Sequence, residues 1–434
     1  MKSSITAATL LMSLCACNAR QSSAADSLDK LARDYVLLSL TIGEKEDGYI
    51  DAYYGPADLQ VRAKAEAPSQ SLDQLSGRTA GLTKRLAMLD GDAKGLDRRR
   101  AKFLAAQLTA AATRLRMLRG EKLSFEDEAQ GLFGVRPTLK PLQSYDPLLK
   151  QVEELFPGSN SLDQRVEAFQ AKFTIPADRL KPVFEAAIGE CKTRTTQHMA
   201  LPKGEKFDLG FVTGKSWSGY NYYKGGYQSR IEVNTDLPIR ISRAVDLGCH
   251  EGYPGHHVLN ALLEQHLSKG RNWIEFSVYP LYSPQSLLAE GSANYGIELA
   301  FPGRERLAYE VKQLYPLAGL PTAEAERYYA LQDAMKGLQS ARFTIARDLL
   351  EGRIDEIQAV RLTQRYLLVS PERARQLTDF AKQYRSYVIN YGLGLDMVRA
   401  DVEAAGPTPA ARWKRMEQLL SEPTLPSDLK GAGA

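Results

Sequence analysis

The chain has 434 residues, of which 44% are hydrophobic and 25% are charged, a composition typical of a globular protein. Its 56 basic and 52 acidic residues leave a net charge of +4 that is spread along the chain, so we expect no nucleic-acid partner. The length allows roughly two or three average domains or one large helical domain.

Residues 1–17 are predicted to be a bacterial lipoprotein signal peptide. The apolar run from Ile5 to Leu14 follows a basic residue and is too short to span a bilayer. It ends in "LCAC", which resembles the signal in which the cysteine, here Cys17, is lipidated and becomes the new N-terminus. By the same resemblance, Asn18 favours the outer membrane. The alternative is an ordinary secretory signal cleaved near "SSAAD".

Residues 18–30 are small and polar, which predicts a flexible tether. No later apolar run has the length needed to span a bilayer. We therefore expect a periplasmic protein of the bacterial cell envelope that contacts the membrane only through its N-terminal lipid. In that oxidising compartment Cys191 and Cys249 could pair or stay free.

Residues 31–200 are predicted to form an N-terminal helical region. Leucines recur at intervals of three, four and seven residues in "LDRRRAKFLAAQLTAAATRLRMLRG", which ends in glycine. Further helices are predicted around 160–172 and 176–199. We expect these helices to provide packing and no chemistry.

Residues 201–434 are predicted to be the catalytic region. The segment 205–240 is rich in glycine and aromatic residues and contains the β-prone runs "DLGFV" and "SRIEVN", after which the helical pattern returns. The expected fold class is therefore mainly α, with one small antiparallel sheet at about 208–235 beside the active-site cleft. Zinc peptidases of the thermolysin-like class show the same order of elements.

The stretch "GCHEGYPGHHVLN" contains three of the five histidines of the chain. A step of six residues in a straight helix points about 240° away, and a step of seven rises about 10.5 Å, so neither His256 nor His257 could share an ion with His250 in an unbroken helix. Pro254 and Gly255 predict a break. We therefore expect a metal site at which either His256 or His257 joins His250.

Two glutamates complete the predicted zinc site. Glu290 is the candidate third ligand, because it interrupts the apolar stretch "SPQSLLAEGSANYGIELA" and a buried unpaired carboxylate would be costly. Asn294 and Glu298 follow on the same helical face and could hold the ligands in place. Glu251 follows His250 directly, the place at which zinc peptidases carry the glutamate that activates a zinc-bound water.

The motif "HEGYPGHH", followed by "AEGSANYG", resembles the bacterial family called domain of unknown function 885, whose members are regarded as zincin-like metallopeptidases. The resemblance covers about residues 30–405. It includes "INYGLGLDMV", which is similar to the family's Tyr-x-x-Gly element, so that Tyr391 and Gly394 correspond to its tyrosine and glycine. It implies a large helical zincin-like metallopeptidase architecture with zinc as cofactor. The family's arginine segment is not recognisable in "SARFTIARDLLEGRID", so the resemblance gives no role to Arg342.

Thimet-type oligopeptidases read His-Glu-Phe-Gly-His, and alignment on Gly-His makes His256 the second ligand. His257 then either supports the ligands through a hydrogen bond or faces the substrate, although helix geometry also allows the reverse. The predicted substrate is a peptide or small amide. Tyr391, or a tyrosine of "GYNYYKGGY", would donate to the developing oxyanion. "SRIEVN" would pair along its edge with an extended substrate, and the predicted substrate-binding residues are His257, Tyr223 and Asn234.

Two other hypotheses fit the same residues. The first is a non-catalytic metal-binding envelope lipoprotein, in which Cys249, or both His256 and His257, would close a structural site with four ligands. The second is a cysteine hydrolase that uses Cys249 and a nearby histidine.

Overall fold

The computed structural model describes residues 28–89 and 94–430. The predicted signal peptide, its Cys17 and most of the predicted tether lie outside the described residues. The tether prediction is wrong for residues 28–30, which begin the first helix. Leu28 is buried together with Leu31 and Ala32, so this segment already has the helical spacing of a core-facing element.

The described helices and strands confirm the predicted fold class, mainly α with a small sheet. Helices α1 to α19 span 28–43, Ala57–Glu66, Leu72–Leu89, Gly95–Leu118, Phe125–Phe133, Asp146–Leu155, Leu162–Ala171, Leu180–Thr196, Ser242–Leu247, His256–Leu263, Pro284–Ala300, Glu305–Tyr309, Tyr315–Ala318, Ala325–Lys336, Ala341–Leu350, Glu356–Leu367, Pro371–Tyr384, Leu393–Glu403 and Pro409–Ser421. Strands β1 to β5 span Ile50–Tyr53, Lys206–Val212, Gly219–Gly225, Gln228–Asn234 and Val278–Pro280.

Short 3₁₀ and π-helical turns connect these elements. The 3₁₀ turns are Ala67–Ser69, Leu142–Tyr145, Ala177–Arg179, Ile274–Ser277, Arg385–Tyr391 and Pro426–Asp428, and the π-helical turns are Gly248–Gly252, Glu264–Lys269 and Glu310–Leu314. None of the described helices has both the length and the apolar character that a membrane crossing needs.

One compact unit consists of the described residues up to Glu121 together with His266–Ser283. Within it, β1 pairs antiparallel with β5. The buried guanidinium of Arg100 holds the inserted segment, because its Nη2 lies 2.9 Å from Oε2 of the buried Glu275. A buried arginine of this unit is thus neutralised by a carboxylate.

The second compact unit consists of Lys122–Gln265 and the residues from Pro284 onward. It contains the histidine cluster. This division differs from the predicted boundary at residue 200, because helices from before that boundary pack in the same unit as the histidines. Helix α8, for example, is joined to the histidine segment by a disulfide between Cys191 and Cys249.

The sheet near the histidines has the strand order β2-β4-β3. Strand β4 runs antiparallel to β3, as predicted for this sheet, and parallel to β2. Because β4 carries "SRIEVN" and has a partner on each side, its backbone groups are already paired. The prediction that this strand binds substrate along a free edge is therefore wrong.

Two facing glycines let helices α11 and α18 approach closely. A Cβ atom added at Gly291 would lie 2.4 Å from the backbone of Gly394, and one added at Gly394 would lie 2.6 Å from the carbonyl oxygen of Leu287. Neither helix could carry a larger residue at this contact without moving apart. Because Gly291 directly follows Glu290, this contact also sets the position of the predicted third ligand.

Candidate metal centre

The backbone between the first two predicted ligands is broken, as the sequence predicts. His250 lies in the π-helical turn Gly248–Gly252, a wider turn that often marks functional sites. Tyr253 is extended and joined to Pro254 by a cis peptide bond, and the next helix begins at His256. A Cβ atom at Gly255 would lie 1.7 Å from the carbonyl oxygen of His250, so only glycine permits so tight a reversal. The break therefore turns His256 back toward His250.

His250, His256 and Glu290 meet in the protein interior. The Nε2 atoms of the two histidines lie 3.1 Å apart. Oε2 of Glu290 lies 3.2 Å from Nε2 of His250, and its Oε1 lies 3.7 Å from Nε2 of His256. Each residue offers one ligand atom, and these three atoms all lie within 4.8 Å of one another. Residues 40 positions apart in sequence thus form one donor group.

The spacing of these donors suits a single metal ion. Two donors held at about 2.1 Å from one ion in tetrahedral geometry lie about 3.4 Å apart, which is close to the observed separations. Oε2 of Glu290 is buried and has no hydrogen-bond partner among the described residues. A cation would satisfy this carboxylate oxygen, which is otherwise costly to bury. Two imidazoles and one carboxylate are also a frequent donor set of catalytic zinc.

Asn294 fixes the tautomer of His250. Its Nδ2 donates to the carbonyl oxygen of Tyr391 at 2.9 Å, so its Oδ1 is the atom that faces Nδ1 of His250 at 3.1 Å. An amide oxygen can only accept, so Nδ1 of His250 carries a proton and Nε2 is the nitrogen that can bind a metal ion. The predicted role of Asn294 in holding a ligand agrees with this contact. Glu298 instead pairs with Arg399, whose Nη2 lies 2.7 Å from Oε1, so its predicted role is wrong.

The three donors also interact electrostatically. Burial and the neighbouring His250 lower the pKa of His256 to about 4. Burial alone would lower the pKa of His250, but the adjacent Glu290 carboxylate outweighs it and raises this pKa. Burial would raise the pKa of Glu290, but the two histidines and the hydroxyl of Tyr387, which donates to Oε1 at 2.8 Å, keep this pKa low. The group therefore presents a charged carboxylate and a neutral His256 to a cation.

Glu251 is placed by the neighbouring strand β3. Nδ2 of Asn221 donates to the carbonyl oxygen of Glu251 at 2.7 Å. A Cβ atom at Gly219 would lie 2.8 Å from Oε1 of Glu251, so the side chain packs directly against this glycine. The carboxylate is buried, and its charge acts on both His250 and Tyr391. The predicted base thus lies beside the predicted metal ligands.

Tyr391 also lies at this site. Its ring is nearly parallel to the imidazole of His250, with centroids 6.3 Å apart. Burial and the charge of Glu290 raise the pKa of Tyr391 well above its usual value. Its hydroxyl therefore keeps its proton at neutral pH, as a hydrogen-bond donor must.

His257, predicted to bind substrate, belongs to a hydrogen-bond network outside the group of candidate ligands. Its side chain is fully buried. Its Nδ1 lies 2.8 Å from the hydroxyl of Ser229, and its Nε2 lies 2.9 Å from Oε2 of Glu205. Tyr253 donates to the same carboxylate oxygen. Both ring nitrogens of His257 thus have protein partners, whereas His256 lies in the donor group with His250 and Glu290.

Tyr223 and Asn234, the other predicted substrate-binding residues, also have partners within the protein. The hydroxyl of the buried Tyr223 donates to Glu264. Nδ2 of Asn234 donates to the carbonyl oxygens of Lys215 and Trp217, at 2.8 and 2.9 Å. These contacts shape the ends of the sheet. From a sequence rich in tyrosine and glycine, one cannot tell which side chains contact the protein and which contact a substrate.

Cys249 has no free thiol, because it forms the disulfide with Cys191. It can be neither a thiolate ligand nor a nucleophile, so the cysteine-hydrolase hypothesis is wrong. The structural-site hypothesis loses its two candidate fourth ligands, Cys249 and His257. Tyr387, Asn221 and Gly219 contribute to the site without having been predicted. Their sequence neighbourhoods contain no spacing that distinguishes them from packing residues.

No protein-family model matches the chain, and no curated protein matches it. Its fold is similar to the crystal structure of a candidate lipoprotein from Colwellia psychrerythraea, with a TM-score of 0.50 and 14% identity over 84% of this chain and 70% of that one. At this identity the similarity concerns the fold alone.

Two metallocarboxypeptidases are more distant. The M32 carboxypeptidase from Deinococcus radiodurans R1 has a TM-score of 0.35 and 15% identity, over 92% of this chain and 90% of that one. Metallocarboxypeptidase 1 from Trypanosoma cruzi has a TM-score of 0.37 and 12% identity, over 88% and 86%. Similarity this weak supports no inference about the present chain.

Proposed function

We propose that this protein is a zinc-dependent hydrolase that cleaves peptide or related amide bonds. The observation that carries the proposal is the convergence of His250, His256 and Glu290 on one point, with the buried Glu251 beside them. A structural site needs no adjacent carboxylate beyond its ligands, whereas hydrolysis needs a group that moves protons.

The residues divide the chemistry as follows. When bound, a zinc ion would supply a Lewis acid that polarises the carbonyl and makes water more acidic. Glu251 accepts a proton from the attacking water while the water oxygen bonds to the carbonyl carbon. It then delivers that proton to the amine nitrogen as the C–N bond breaks, so the products are a carboxylic acid and an amine. Tyr391, with its proton retained, donates to the oxygen on which negative charge develops.

Removal of the metal is the direct test of this proposal. We expect a chelator to abolish hydrolysis of a peptide library and zinc to restore it. Because the ion binds only the folded chain, it should also stabilise the fold, by about 2.7 kcal/mol at a free zinc concentration of 100 times Kd. Mass spectrometry of the digest and thermal unfolding with and without zinc measure both effects. Hydrolysis that persists in chelator, in protein shown to contain no metal, contradicts the proposal.

Replacement of Gly219 tests whether the position of Glu251 matters. In Gly219→Ala, the added methyl displaces the carboxylate of Glu251, so we expect kcat/KM to fall by about 100-fold, as a small misplacement of a catalytic group can produce. Zinc content should not change, because the atoms nearest to the added methyl belong to Glu251 and Leu247 and not to the candidate ligands. Gly189→Ala, in helix α8 with open space around its added methyl, is the matched control. Unchanged kinetics in Gly219→Ala would argue against Glu251 as the proton carrier.

We also propose that the chain is a member of the domain of unknown function 885 family and a lipid-anchored envelope protein. The motif "HEGYPGHH" and Tyr391 with Gly394 support the first part. The "LCAC" signal, the Cys191–Cys249 disulfide and the similar fold of a candidate lipoprotein support the second.

Fractionation of cells tests the proposed anchor. We expect the native chain in the outer-membrane fraction and the Cys17→Ser variant in the soluble periplasmic fraction, because that variant cannot be lipidated. Metabolic labelling with a fatty-acid analogue should mark only the native chain. A Cys17→Ser protein that stays in the membrane fraction would exclude lipidation as its anchor.

A further inference from the structure

Two arginines beside the candidate metal centre have no carboxylate partner in the described part of the chain. Within residues 28–89 and 94–430, neither Arg342 nor Arg373 forms an ion pair with an acidic side chain. Nε of Arg342 is buried without a hydrogen-bond partner. Nη1 of Arg373 donates to the hydroxyl of Ser218 at 2.9 Å and to the side chain of Gln376, both of which are neutral.

The charge of Arg342 acts on Arg373. Burial and the positive charges of Arg243 and Arg342 lower the pKa of Arg373 to about 10. Burial also lowers the pKa of Arg342. In contrast, the buried Arg306 lies 2.7 Å from Asp246 and 2.8 Å from Glu310. This protein therefore normally neutralises its buried arginines, and the pair beside the site is an exception that disfavours the unliganded state.

Both arginines border the groups assigned to catalysis. The guanidinium of Arg342 lies 4.9 Å from the ring centroid of Tyr391, and its charge acts on Glu290. Arg373 contacts Ser218, the neighbour of the glycine against which Glu251 packs. Positive charge is thus concentrated next to both the ligands and the base.

A narrow apolar cavity begins at the same place. Arg342 is its only charged lining residue, and its other walls come from helices α15, α16 and α17 and from Val388. Phe380, which lines the cavity, also contacts the ring of Tyr391, with centroids 6.0 Å apart. At about 20 Å³ this cavity has room for about one water molecule, so it is too small for the side chain of a substrate.

We propose that Arg342 and Arg373 bind the free C-terminal carboxylate of a peptide substrate. The protein would then remove the last residue of that peptide. The planar guanidinium groups present paired donors that match the two oxygens of a carboxylate, and the negative charge would offset their mutual repulsion. This inference rests on the proposed peptide hydrolysis and specifies its substrate class.

Matched peptides test the inference through kinetics. The substrates are an N-blocked tripeptide that ends in leucine with a free carboxylate, the same peptide as its C-terminal amide, and an amide that carries glutamate as its last residue. We expect kcat/KM to be about 10- to 100-fold higher for the free acid than for the leucine amide, the range expected for hydrogen bonds to a charged group. Equal rates for these two peptides would overturn the carboxylate pocket. A glutamate amide as fast as the free acid would keep the pocket and overturn the assignment to the C-terminus.

Variants and direct binding separate this inference from the proposed function. Arg373→Met and Arg342→Met should remove most of the preference for the free acid, whereas Arg375→Met, an exposed arginine paired with Glu372 on the same helix, should keep it. N-acetyl-leucine should bind the zinc-loaded Glu251→Gln protein at least about 10-fold more tightly than N-acetyl-leucinamide in calorimetry.

Thermal unfolding shows whether each variant is folded. Chelator-sensitive hydrolysis without any carboxylate preference overturns the pocket alone. Absence of chelator-sensitive hydrolysis, with a retained preference for N-acetyl-leucine, overturns the proposed function and supports the pocket.

Discussion

We expect Glu251→Gln to lower hydrolysis by about 100- to 10,000-fold, the range that general acid–base catalysis contributes. Glutamine has nearly the same shape and can keep the packing against Gly219, but it cannot accept a proton from water. Zinc content should be unchanged, because the ligand group consists of other residues. Single-turnover kinetics together with elemental analysis of the same preparation measure both properties.

The matched control for this variant is Glu298→Gln. Glu298 is also a glutamate of the second compact unit, but it pairs with Arg399, so its replacement should leave activity near the native level. Full activity in Glu251→Gln would show that another group carries the proton. Loss of zinc in that variant would instead mean that Glu251 helps to bind the ion.

His256→Ala should remove zinc and activity together. It deletes one of three donors, so the loss of affinity should exceed the about 10- to 100-fold expected for Asn294→Ala, which removes only the residue that orients His250. Zinc titration against a competing chelator measures both affinities. If His256→Ala keeps its zinc, the ligand assignment is wrong.

His257→Ala should have the opposite effect. It leaves the three donors in place but removes the partner of Glu205 and Ser229 in the interior, so the free energy of unfolding should fall by about 1–3 kcal/mol while zinc is retained. Denaturant unfolding of the zinc-loaded protein measures the change. Loss of zinc without loss of stability would exchange the roles of the two histidines.

Part of this site could be predicted from sequence because helix geometry is regular. A six-residue spacing between His250 and His256 cannot serve one ion unless the helix breaks, and Pro254 with Gly255 marks where the break occurs. Glu290 could be predicted because an acidic residue in an apolar helix needs a partner. The spacing from Glu290 to Asn294 is also helical, so Asn294, which orients His250, could be predicted as well.

Other parts of the site depend on which elements become neighbours in space. The sequence of β4 has the same alternation whether the strand is central or at an edge. The pairing of its backbone groups with strands on both sides could therefore not be predicted. His257 is adjacent to a ligand in sequence, yet the start of a helix turns it toward Glu205, more than fifty residues away. Arg342 and Arg373 come from different helices, and only their packing brings their charges together.

The close backbone approaches at Gly255, Gly291 and Gly394 affect how a saturation mutagenesis map of this gene should be interpreted. If variants are scored by enzymatic fitness alone, these three positions should be as intolerant as the candidate metal ligands, although a glycine has no side chain with which to act on a substrate. The map of activity alone would therefore not distinguish positions that need close backbone packing from positions that take part in catalysis. A parallel map of protein abundance would separate the two, since glycine variants that disrupt packing should be depleted in both maps and Glu251 variants only in the map of activity.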